Sequence, residues 1–171
     1  LAALLGAHPT AALAIAKHAA PAADIRLVVL EGDHPVPGPR SLQAGERLLE
    51  FVSQAGSNDL VFCLISGGGS ALVTAPQPGI TLDDLQQLTR LLLACGAPIT
   101  EINTLRRRLD RIKGGGLARC AAPARLVSLV LSDVVGNPLE AIASGPTSPD
   151  PTTRQDALEV LDRYALKDQL P

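Results

Sequence analysis

Two apolar segments stand out along the chain, the unbroken run Leu60–Ile65 and the stretch Arg125–Leu131. Their length predicts strands, and continuous rather than alternating apolarity predicts burial on both faces, as in a central parallel strand. Ile25–Leu30 is a third compact run and predicts another strand. Elsewhere the period changes. Leu82, Leu85, Leu88, Leu92 and Cys95 recur at helical spacing behind Thr81, a capping residue followed by Asp83 and Asp84, and Gly96 is a natural stop. Further helices are predicted over Ser41–Ala55, from near Thr100 to Lys113, and over about Arg154–Tyr164. Residues 1–20, rich in Ala and Leu, also read as helical, broken or kinked at Pro9. Glycine and proline mark Glu31–Arg40, Pro76–Gly79 and Gly136–Thr153 as loops or turn-rich segments. Strands that alternate with helices predict a single α/β domain, a mostly parallel sheet flanked by helices, with strand order left open.

Composition narrows this picture. The 171 residues suffice for one domain, and with two Phe and one Tyr the core must be built from Leu, Val, Ile and Ala. A net charge of −2 argues against a broad nucleic-acid surface, which needs a basic field. Cys63, Cys95 and Cys120 are far apart, so neither a zinc site nor a disulfide framework is expected, and buried reduced thiols are. No run is long enough to span a bilayer and no signal-peptide pattern opens the chain, so a cytoplasmic location is expected. The sequence has no methionine and opens inside an Ala/Leu-rich pattern, which reads as a fragment of a longer gene product.

Three constellations could carry chemistry. The first is Ser66-Gly67-Gly68-Gly69-Ser70, at the carboxyl end of a predicted buried strand. Its amides and hydroxyls could cradle a carboxylate or phosphate where open α/β sheets bind ligands. It is neither a P-loop nor a dinucleotide fingerprint, and a plain strand-to-helix turn reads equally well. The second lies on the predicted helix, where Asn103, Arg106, Asp110 and Lys113 share one arc. Arg106 and Lys113 border the apolar stripe, so their charges need a partner, either Asp110 or a bound phosphate. Arg107, Arg108 and Arg111 read as a solvated face. The third is S-D-V-V-G-N at 132–137, a strand end, together with S-G-P-T-S-P-D-P-T-T at 144–153; its Asp133 is an acid that could bind a divalent metal, accept a proton or merely cap a turn. Asp150 reads as turn chemistry. His8, His18 and His34 lack metal-ligand spacing, although His34 in its rigid loop could touch a substrate.

Taken together, L-I-S-G-G-G-S-A-L, E-I-N-T-L-R-R-R-L-D-R-I-K-G-G-G-L-A, S-D-V-V-G-N-P-L-E-A-I-A-S-G-P-T-S-P-D-P-T-T and the upstream E-G-D-H-P-V-P resemble the glycerate 2-kinase family with a C-terminal MOFRL domain. The resemblance runs from about Asp24 to Tyr164. It implies a Rossmann-like N-terminal domain, incomplete here, whose cleft against a second domain phosphorylates D-glycerate from ATP with Mg²⁺ or another divalent cation, usually to 2-phosphoglycerate. It implies that Ser66, Gly67, Gly68, Gly69 and Ser70 line that cleft with Asn103 and Arg106. Lys113 and Asp133 would be the catalytic pair, Asp133 also holding metal or the attacking hydroxyl. Asp110, Arg108, Asn137 and Gly38 depart from the family's usual residues. The family's upstream lysine segment and MOFRL domain are not in this chain, so the 171 residues alone are expected to be inactive. No nucleic-acid or membrane partner is expected, and a homo-oligomer is left open. The other readings are a hydroxypyruvate reductase and a non-catalytic anion-binding domain.

Overall fold

The computed structural model describes residues 11–19, 24–132 and 134–170. The helical expectation for residues 1–10, including the break at Pro9, and the site expectation for Asp133 lie outside the described residues. Strand β1 (Ala12–Ala16) pairs in parallel with β2 (Leu27–Glu31), and β3 (Leu60–Ser66) pairs in parallel with β4 (Arg125–Leu131). Helix α1 (Pro39–Ser53) connects the two pairs. Between β3 and β4 lie the single turn α2 (Gly69–Leu72), α3 (Leu82–Ala94), α4 (Ile99–Leu109) and α5 (Gly116–Ala121). A short 3-10 turn, Ile142–Ser144, precedes α6 (Arg154–Arg163).

The α/β class and parallel pairing agree with the sequence pattern, and several particulars do not. Residues 12–16 form a strand rather than helix, because alignment of Ala12–Ala16 beside Leu27–Glu31 overrides the helical propensity of alanine. The described strands form two separate two-stranded sheets. Strands β3 and β4 are half-covered, with Phe62, Leu64, Val127 and Leu129 exposed on one face.

The helices close two apolar clusters. Leu88, Leu92, Ile102, Leu105, Ala157 and Val160 join α3, α4 and α6. Leu49, Val52, Ala75, Ile112, Leu117 and Ala121 join α1 and α5 to the segment between them. Helix α3 begins with the expected reciprocal cap, in which Asp84 N donates to Thr81 Oγ1 and Thr81 N donates to Asp84 Oδ2. Helix α4 ends at Leu109, four residues before the expected Lys113, because Asp110 turns extended and bridges to Pro76. The thiols are free, but Cys95 is exposed where burial was expected, since it falls at the solvent end of α3.

Candidate active site

The turn after β3 is built by its glycines. Gly68 takes a left-handed backbone, φ 78°, that a Cβ would strain, and this lets the chain enter α2 at once. The register Ser66↔Leu131 sets this turn beside the end of β4, next to Ser132. The upstream loop reaches the same place. A Cβ built on Gly68 would stand 3.8 Å from His34 Nε2, so the exposed His34 ring flanks the turn. That loop is held by Asp33, whose carboxylate accepts from Arg40 N and Nε at 2.9 and 2.7 Å. Gly38 lies so close that a Cβ there would meet Asp33 Oδ2 at 2.4 Å, which accounts for glycine at this departure from the family pattern.

Ser70 opens onto a pocket whose polar lining is Ser70, Thr74, Thr89, Arg106, Asp110 and Lys113 and whose apolar wall includes Leu88, Leu92 and Leu105. Lys113 and Asp110 are both buried there, with Lys113 Nζ donating to Asp110 Oδ2 at 2.7 Å and to Val73 O at 2.9 Å. Asp110 also accepts from Thr74 Oγ1 and from the amides of Ala75, Ile112 and Lys113. Counting Lys113 Nζ, five donors converge on the Asp110 carboxyl oxygens. Burial lowers the Lys113 ammonium from its ordinary value, with Asp110 opposing and Arg106 adding to the shift. Burial likewise lowers Arg106, against the pull of Asp110.

Charge in the pocket therefore does not cancel. Lys113 and Asp110 neutralise one another, whereas Arg106, half-buried on α4, makes no ion pair or hydrogen bond among the described residues. An unpaired guanidinium in a partly dehydrated pocket is a ready anion site.

The expected site residues do not all share this pocket. Ser70, Arg106 and Lys113 line it. Asn103 lies behind it, buried, with Oδ1 accepting from Ser144 Oγ at 3.0 Å. Ser66 lines a separate shallow groove with Leu64 and Leu131. Two further residues support the site in ways their local sequence did not assign. Ser144 bonds Ser70 across 74 positions of sequence. Arg107, expected on a solvated face, is buried and donates to Asp150 Oδ1 at 2.8 Å, while Arg108 pairs with Asp150 Oδ2 and with Thr152 O. Arg111 is not free in solvent either, pairing with Glu46 at 2.5 Å. These contacts come from residues remote in sequence, so helical spacing alone could not reveal them.

Parallel strand pairs, helices packed on them and a net-positive pocket beside a glycine-rich turn define an α/β protein with a polar cleft at its strand ends. The chain belongs to the family described as "Domain of unknown function (DUF4147)", whose model matches residues 2–171. It is 48% identical over 139 residues to a D-glycerate 2-kinase of Thermotoga maritima, covering 81% of this chain and 33% of that protein. It is 50% identical over 147 residues to a human glycerate kinase, covering 85% of this chain and 28% of that protein. A protein of Agrobacterium vitis named as a hydroxypyruvate reductase is 49% identical over 149 residues, covering 87% of this chain and 34% of that one. The crystal structure of a glycerate kinase from Thermotoga maritima superposes with a TM-score of 0.83 at 38% identity, covering 92% of this chain and 44% of that one. The chain thus spans about a third of the length of the curated relatives it matches.

Proposed function

We propose that the full-length gene product containing this chain is a kinase that transfers phosphate from ATP to D-glycerate, giving 2-phosphoglycerate. The observation that carries this reading is Arg106, a half-buried cation with no ion pair or hydrogen bond among the described residues, beside Ser70 and the self-neutralised Lys113–Asp110 pair. Kinship with proteins named glycerate kinase supplies the reaction class. Phosphoryl transfer needs alignment and charge neutralisation more than covalent help from the protein. In this scheme Arg106 takes an anionic oxygen of the substrate. Lys113, with two of its three N–H donors held by Asp110 and Val73, keeps one for the transferring group. Ser70 orients the substrate hydroxyl, and the Ser66–Ser70 amides set the floor of the cleft.

ATP is the donor this reading requires. Among the described residues no three Asp, Glu, His or Cys side chains cluster, and the Asp110 carboxylate is fully engaged. Asp133 keeps its proposed part as the contact for the attacking hydroxyl or metal, and no step here is routed through a metal. A cytoplasmic site of action and a small-molecule partner accord with this chemistry, and no described helix is long and apolar enough to cross a membrane.

Steady-state kinetics of Arg106→Ala in the full-length gene product test the assignment. Loss of a charged hydrogen bond predicts a fall of about 10- to 100-fold in kcat/KM for D-glycerate. Activity within about twofold of the parent would remove Arg106 from the site.

A further inference from the structure

Ser144 is fully buried and does not itself line the pocket, reaching it through Ser70. Its backbone is nonetheless unusual. Ala143 and Ser144 both take left-handed conformations, φ 52° and 60°, in a segment where neither residue is glycine. Such backbones cost of order 1–3 kcal/mol each and persist where surrounding structure holds them, commonly at functional sites. What this backbone achieves is a hydroxyl relay. Ser144 Oγ donates to Asn103 Oδ1 at 3.0 Å and lies 2.8 Å from Ser70 Oγ. A serine hydroxyl has one proton. With that proton on Asn103, the bond to Ser70 must be donated by Ser70, so the Ser70 lone pairs are what remains for the pocket.

We infer that Ser144 is a positioning residue, which through Asn103 fixes Ser70 Oγ as a hydrogen-bond acceptor for the hydroxyl of an alcohol substrate. The inference rests on the kinase reading and sharpens it. A phosphoryl acceptor must present its hydroxyl oxygen to the donor, and an acceptor-only Ser70 holds the hydroxyl proton away from that line. Ser70 freed from the relay could instead donate to the substrate oxygen and occupy the lone pair needed for attack. Ser144 thus acts from outside the pocket, tying the turn after β3 to helix α4.

The test is a kinetic double-mutant cycle in the full-length gene product, with D-glycerate and ATP each varied. Ser144→Ala removes the hydroxyl. Ser144→Gly removes it while accepting the left-handed backbone without strain, so it separates the hydroxyl from folding effects. Both variants should lose about tenfold in kcat/KM for D-glycerate while KM for ATP stays within about twofold. S70A/S144A should be no worse than Ser70→Ala alone, because the two groups act as a unit. Parent-like activity in Ser144→Gly, losses that multiply in the double variant, or an equal loss against both substrates would overturn the role of Ser144. A parent protein that neither binds nor phosphorylates D-glycerate would overturn the kinase reading itself, and the relay with it.

Discussion

Asp110 and Lys113 illustrate how one carboxylate organises a site. Two charges buried together are held by five donors on the acid and two acceptors on the ammonium. Breaking such a pair strands a charge in the interior, which typically costs 3–5 kcal/mol. Lys113→Ala is therefore expected to destabilise the protein by about 3 kcal/mol, and Asp110→Asn in the same chain to recover a large part of that loss. Denaturant unfolding of the two single variants and the double variant measures this coupling, and additive losses would contradict it. The sequence placed Arg106 and Lys113 at the edge of an apolar stripe and asked for a partner. Spacing could name Asp110 as that partner for Lys113. It could not show that Arg106 would make no ion pair among the described residues, since that depends on every element packed around the pocket.

At the scale of elements, the long helices and three of the four strands were legible because each carries its own period and stop signals. Thr81 and Thr153 each receive the amide three residues on, and Gly96 follows the end of α3 with φ 73°. Strand β1 was not legible, since Ala12–Ala16 favours helix locally and is a strand only beside β2. The end of α4 was hidden for a similar reason, the stop being a carboxylate turn and a bridge to Pro76 rather than glycine or proline. Arg107 and Arg108 were misread because their partner, Asp150, arrives from the segment before α6. Burial works against ionisation of Asp150, but the Thr152 hydroxyl and amide and then the two guanidiniums outweigh it, holding the carboxyl below its usual value. A lowered value in the fold means stability that is present above the unfolded carboxyl range, near pH 4, and lost as pH falls through the folded value. Asp150→Asn is expected to cost about 2 kcal/mol at pH 7, with the gap to the parent closing below about pH 4. Urea midpoints across that range would show it, and a gap independent of pH would contradict the ion pairs.

Across the whole molecule, the turn after β3, the His34 loop, helix α4 and the Ile142–Ser144 segment converge although they are scattered from residue 34 to residue 144. The sequence named the turn and α4 as neighbours through family likeness. The physical link between them, Ser144, lay in a motif whose Ser-Gly-Pro pattern reads as turn chemistry. Burial was expected on both faces of β3 and β4; one face is half-buried, and on the other Leu60, Phe62, Leu64, Val127, Leu129 and Leu131 form an open apolar face in a chain that spans about a third of its curated relatives. The catalytic account accordingly belongs to the full-length gene product. The decisive measurement is product analysis after incubating that protein with ATP and D-glycerate, alongside NAD(P)H with hydroxypyruvate. ATP-dependent formation of 2-phosphoglycerate with no oxidation of the nicotinamide is expected. Nicotinamide oxidation with no phosphorylated product would contradict it.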